Sequence, residues 1–345
     1  MGPGVAAKRV DRLRRAARLL GVLLAAAAAK GCSGPGSASS DGGADGRPAS
    51  VDARVGFDLA PPDGASASAC PRFDPGRVSG TVGAAQLTEA SGLVASRRTP
   101  GLLWLHNDSG DGPNLYAVSA SGVHEGTFAL EGATAVDWED LAAGPGPEAG
   151  RSYLYVGDIG DNAEAREHVV VYRVAEPEVK VGTIPEVTTL GGVERFEFTY
   201  PAGKATNAES LFVDPGSGDL YVLAKRSQGP SPLYRARAPL SAGTRRELEK
   251  AAEVDLAALG GDALATGADL SPSGEELLVR SYTRLWLFRR AKGRSVAEAL
   301  ASPPCAVPVL RELQGEAVGF AADGQGYFTV SEGAAPELHF YSRQR

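Results

Sequence analysis

From residue 86 onward the chain repeats itself. Five short segments align on one apolar residue: EASGL (89–93), DWEDL (137–141), NAESL (207–211), TGADL (266–270) and QGEAV (314–318). Each runs into a cluster with turn chemistry: SRRTPG, GPGPEAG, DPGSG, SPSG and ADGQG. A more apolar run follows: LLWLH (102–106), YLYVG (153–157), DLYVL (219–223), ELLVR (276–280) and GYFTV (326–330). Third runs begin at 115, 169, 233, 284 and 337, and weaker fourth runs at 126, 193, 251 and 306. Units of four short strands, starting 48 to 70 residues apart, predict an all-β chain folded as a β-propeller of four-stranded antiparallel blades. Five starts are visible, and the long, weakly patterned stretch 180–206 leaves five or six blades open. The last unit has no fourth strand before Arg345. RVSGTVGA (77–84), upstream of the first unit, is expected to supply it, closing the ring and removing an exposed edge. A β-sandwich would not require the repeated opening segment. Outside the leader, helical spacing is confined to RRELEKAA (245–252) and RSVAEALA (294–301). Trp104, Trp138 and Trp286 are expected to pack between blades.

The segment before the repeats reads as an address. Lys8, Arg9, Arg12, Arg14, Arg15 and Arg18 precede an apolar run of eleven residues, Leu19 to Ala29. That is too short to cross a bilayer, which takes about 20 residues, and it suits a signal peptide over 1–31. Ala29-Lys30-Gly31-Cys32 resembles a lipobox, with Cys32 as the lipidated residue. Lys30 departs from the small uncharged residue usual there, so ordinary cleavage with a free thiol is the other outcome. Residues 32–74 combine this cysteine with a Gly/Ser/Ala/Asp-rich tether, and 75–345 form the propeller domain. The expected location is the cell envelope, as an outer-membrane lipoprotein facing the periplasm or the cell surface, with membrane contact through the lipid alone. An oxidising compartment permits a disulfide between the two remaining cysteines, Cys70 and Cys305.

Charge narrows the partners. The leader takes seven of the 35 basic residues and one of the 42 acidic ones, so the remainder carries 28 against 41, a net of −13. Nucleic acid is excluded as a partner by that sign, whereas cations are favoured. A monomer with a protein or small-molecule ligand is expected.

The repeats concentrate this charge at one mouth. In a propeller the first strand of each blade lines the channel, and side chains two apart share a face. Four residues before the aligned apolar residue stand Glu89, Asp137, Asn207, Thr266 and Gln314, and two before it Ser91, Glu139, Glu209, Ala268 and Glu316. Second strands end where first strands begin, so GDIGDN (157–162) brings Asp158, Asp161 and Asn162 beside Asp137 and Glu139. HNDSGDG (106–112) does the same in the first blade with Asn107, Asp108 and Asp111. Converging carboxylates must be protonated, paired or metal-bound. Oxygen ligands without histidine or cysteine favour Ca²⁺. The competing role for each Asp or Asn is to cap a turn through backbone N–H groups. Lys225 and Arg226 follow the second strand of the third blade, where they would hold an anion such as phosphate or neutralise the acids. His106, His124, His168 and His339 lack zinc spacing, and neither a G-x-S-x-G elbow nor a Walker A motif is present.

The stretch EASGL, LWLHNDSGD, LYAVSASG, DWEDLAAG, LYVGDIGDN and VVVYRV resembles a family of exported bacterial β-propeller proteins, and its first-strand motifs also resemble the phytase-like and SdiA-regulated propeller groups. The resemblance covers roughly residues 85–240. It implies calcium on the axis or mouth, held on the matching positions Glu89, Asp137, Glu139, Asp140, Asp158, Asp161 and Glu209. The phytase likeness implies, as an alternative to a binding or scaffolding role, calcium-dependent phosphoester hydrolysis.

Overall fold

Runs of branched and aromatic residues, cut by glycine and proline turns, assemble into five twisted sheets. The computed structural model describes residues 70–345; the leader, the tether and Cys32 lie outside the described residues. After β1 (Arg77–Thr81), blade one is β2 (Ala90–Ala95), β3 (Leu102–Asn107), β4 (Asn114–Ser119) and β5 (His124–Leu130). Blade two opens with β6 (Trp138–Pro145), β7 (Ser152–Asp158) and β8 (Val169–Ala175). The chain then lays β9 (Val187–Leu190) parallel to β5, and returns to complete blade two with β10 (Glu194–Thr199). Blade three is β11 (Ala208–Val213), β12 (Leu220–Ala224), β13 (Ser231–Ala236) and, after the short β14 (Arg246–Glu247) parallel to β10, β15 (Glu249–Val254). Blade four is β16 (Ala265–Leu270), β17 (Glu276–Ser281), β18 (Leu285–Arg289) and, after α1 (Val296–Leu300), β19 (Cys305–Val307). Blade five is β20 (Gly315–Phe320), β21 (Gly326–Ser331) and β22 (Glu337–Ser342). Its fourth strand is β1, antiparallel to β22.

The innermost strands β2, β6, β11, β16 and β20 pack side by side in a closed circuit, β20 against β2 completing it. This is a five-bladed β-propeller, and 180–206 adds an edge strand to blade one rather than a sixth blade. Each interface between neighbouring blades holds its own apolar core. Trp104 and Trp138 fill the core between blades one and two, and Trp286 that between three and four. Ring closure is reinforced covalently by the Cys70–Cys305 disulfide, which ties the segment before β1 to β19 of blade four. Phe73 bridges to Arg343 beyond the C-terminal end of β22, so the chain enters the domain on the face opposite the starts of the innermost strands.

RRELEKAA is not a helix. It forms β14 and the start of β15, because pairing with the open edges of β10 and β13 outweighs the local propensity of a short charged segment. RSVAEALA does contain a helix, capped by a reciprocal Ser295–Glu298 box.

One irregularity recurs in all five blades. The pairing of the innermost strand with the second slips by one residue between Ala90 and Gly92, Trp138 and Asp140, Ala208 and Ser210, Ala265 and Gly267, and Gly315 and Ala317. The extra residue of each bulge is Ser91, Glu139, Glu209, Thr266 and Glu316. Blade four therefore aligns two residues upstream of the sequence-based frame: LATGA (264–268) is its repeat, and Thr266, not Ala268, takes the bulged position. The sequence match failed there because Ala268 occupies the place of the aligned apolar residue, and Leu270, two positions on, imitated it.

Candidate functional site

The bulges build the site. A β-bulge bends its strand and re-aims one side chain, here at the channel mouth in blade after blade. Two of the five bulged side chains are spent on the neighbouring blade: Ser91 Oγ donates to Glu139 O at 2.5 Å and Thr266 Oγ1 to Gly315 O at 3.2 Å. The other three, Glu139, Glu209 and Glu316, are carboxylates.

A second set of positions faces them, just past the end of each second strand: Asp108, Gly160, Lys225, Tyr282 and Glu332. Four of these are fixed by the same backbone bond to the start of the innermost strand. Asp108 N donates to Glu89 O at 2.8 Å, Gly160 N to Asp137 O at 3.2 Å, Lys225 N to Asn207 O at 3.0 Å and Glu332 N to Gln314 O at 3.0 Å. Blade two has a glycine where the others carry a side chain, and the space is used. A Cβ on Gly160 would lie 2.1 Å from Glu139 Oε1 and 2.5 Å from Asp137 Oδ2.

Asp108, Asp137 and Glu139 each present one carboxylate oxygen, all within 4.8 Å of one another. Two oxygens on opposite sides of one Ca²⁺ lie about 5 Å apart, given bonds of about 2.4 Å, so one ion would fit among the three. Burial pushes Glu139 well above the usual carboxylate range, helped by Glu209, Asp108, Asp137 and Glu316. Burial likewise raises Glu209 to about 7, although Lys225 pulls it down. Glu332 is pushed up to about 9 by burial and then by Glu316, Asp108 and Glu89. Glu316 accepts from Tyr282 Oη on Oε1 at 3.1 Å and shares a hydrogen bond with the Glu332 carboxyl. Seven carboxylates thus share one mouth, with the ammonium of Lys225 among them.

No protein-family model matches the chain, and no curated protein matches it.

The structure divides the sequence-predicted residues into two groups. Glu89, Asp108, Asp137, Glu139, Glu209 and Glu316 are gathered at the mouth. Asp140, Asp158, Asp161 and Asn162 instead hold the scaffold. Asp140 points away from Glu139 into the channel wall. Its oxygens accept Leu141 N and Leu211 N at 2.8 Å and Ala268 N at 3.3 Å. Asp158 accepts Val136 N and Asp137 N at 3.3 and 3.2 Å and pairs with Arg166 at 2.8 Å, and so places Asp137 without joining it. Asn107 does the same in blade one, with Thr88 N and Glu89 N both at 2.9 Å. Asp161 caps the following turn through Ala165 N and Arg166 N, and exposed Asn162 meets Asn207 at 3.4 Å. Asp158 and Asp161 thus cap backbone N–H groups at turns, and Asp140 does the same for three strands of the wall.

The two cations are engaged as well. Lys225 pairs with Glu209, the neutralising role, and Arg226 reaches Glu164 at 2.7 Å on the rim. Sequence reasoning missed Gly160, Tyr282 and Glu332. Their common signal is their place just after the second apolar run of each repeat, the place Lys225 also holds.

Proposed function

We propose that the protein is an exported, envelope-tethered binding propeller whose acidic mouth is organised by calcium and presented to a protein or small-molecule ligand. The convergence of Asp108, Asp137 and Glu139 on one ion-sized space carries this reading. The oxygen-only donor set suits a hard cation, and Glu209 and Glu316 add negative potential beside it. The likeness of the first-strand motifs to exported bacterial propellers supports the same assignment, as does the disulfide, which suits an oxidising compartment. The phosphoesterase alternative is weaker, since Lys225 and Arg226, the cations that would grip a phosphate, are held by Glu209 and Glu164.

Calcium is expected to stabilise the chelator-stripped protein. A hundredfold excess over the dissociation constant is worth about 2.7 kcal/mol, or a melting shift of roughly 5 °C for a domain of this size. Asp137→Asn with Glu139→Gln should remove that shift. An identical melting curve with calcium and with chelator would refute the assignment.

Gly160 offers a sharper probe. Its backbone is open to alanine, so the obstacle is the methyl group against two carboxylates. Gly160→Ala is expected to keep the fold and lower calcium affinity at least tenfold in calorimetric titration. Unchanged affinity would mean that Asp137 and Glu139 are not the ligands.

A further inference from the structure

The mouth has two acidic halves, and only one of them carries a covalently attached cation. On the side of blades one and two stand Asp108, Asp137 and Glu139. On the side of blades three to five, Lys225 Nζ pairs with Glu209, donates to Tyr282 Oη at 2.8 Å and lies 4.8 Å from the centre of the Tyr282 ring. Tyr282 passes the contact on to Glu316 at 3.1 Å. The lysine side chain is 12% exposed, an unusual degree of burial for an ammonium. Burial opposes its charge, but Glu209, Tyr282 and Glu316 outweigh that and hold it protonated.

The blade repeat makes the two halves comparable. Glu139, Glu209 and Glu316 are the same bulged position in three blades, and Asp108 and Lys225 are the same post-strand position in two. Glu209 and Glu316 therefore surround the ammonium as Glu139 and its neighbours surround the space assigned to calcium. Glu316 accepts from Tyr282 and shares a hydrogen bond with the Glu332 carboxyl, so this half is closed by side chains of the chain itself around the one ammonium.

We propose that Lys225 is a built-in counter-ion occupying the second of two cation positions, so that the mouth takes up one divalent ion instead of two. The proposal rests on the calcium reading above. An ammonium on a flexible stem supplies its charge at any calcium concentration, and it repels a second divalent ion from Glu209 and Glu316.

Calorimetric titration of the chelator-stripped mature protein with calcium chloride tests this. One ion per chain is expected for the natural sequence. Two are expected for Lys225→Met, whose side chain keeps the stem and loses the charge. Glu209→Gln, which leaves the ammonium without its carboxylate, is expected to weaken the single site at least tenfold, and this arm decides the matter if Lys225→Met does not fold. One ion at unchanged affinity in Lys225→Met, two ions in the natural sequence, or unchanged affinity in Glu209→Gln would each overturn the proposal. No ion in the natural sequence would remove the calcium reading itself, a result distinct from one ion in both chains.

Discussion

Replacing Asp140 by alanine is expected to cost most of the stability of the fold. The side chain has no solvent exposure, and its two oxygens accept backbone N–H groups from three blades: Leu141 in blade two, Leu211 in blade three and Ala268 in blade four. Alanine would leave those donors buried beside the channel. An unsatisfied buried donor costs about 1–3 kcal/mol, so the three together amount to roughly 3–9 kcal/mol against a typical stability of about 5–15 kcal/mol. Burial itself raises the Asp140 pKa well above the carboxylate range, and the three N–H groups counter that by favouring the anion. Asp140→Asn keeps one acceptor oxygen and turns an amide toward the remaining donor, so an intermediate loss is expected. Urea denaturation of the three proteins provides the measurement. A midpoint for Asp140→Ala corresponding to less than about 1 kcal/mol of destabilisation would show that water replaces the carboxylate at no cost.

Loss of the disulfide is expected to have a comparable effect by a different route. Cys70 and Cys305 are 235 residues apart, so the bridge closes a loop spanning most of the domain. The chain-entropy argument for a loop of this length gives about 5 kcal/mol, or a melting shift on the order of 10 °C. Cys70→Ala/Cys305→Ala and chemical reduction should lower the melting temperature alike, with β1 exchanging its amide protons first. β1 is the element to loosen because β22 is its one neighbour within the sheet. A doubly substituted protein melting within 2 °C of the oxidised one would show that non-covalent closure suffices.

The blades were readable because each strand alternates or buries whole apolar runs between glycine-rich turns, and because five opening segments share a pattern. Ring closure followed from counting strands, and the cysteine pairing from the two cysteines left once Cys32 is set aside. The bulges were not readable. A bulge leaves no residue signature, yet it decides which neighbour faces the channel. Glu139 and Asp140 are adjacent and equally acidic; alternation sets them on opposite faces, and the bulge at Glu139 re-aims it to the mouth while Asp140 turns into the wall. In blade four the frame is displaced by two residues, so Thr266 takes the bulged position instead of the one two residues before it. Glu332 and Tyr282 follow second runs that lack the repeated Asp and Gly of HNDSGDG and GDIGDN, and Gly160 acts by having no side chain at all.

The ring closure has a mechanical meaning. A strand held to its sheet along one edge can be peeled away by pulling on its free end, one rung after another. Here a tug on the segment preceding the domain reaches Cys70 before it reaches β1, and the sulfur bridge hands it to blade four at Cys305. The rungs between β1 and β22 stand beyond that junction and bear none of the load. In a protein tethered as proposed, the propeller would hang from a covalent shackle, and its latch would stay slack while the rope is taut.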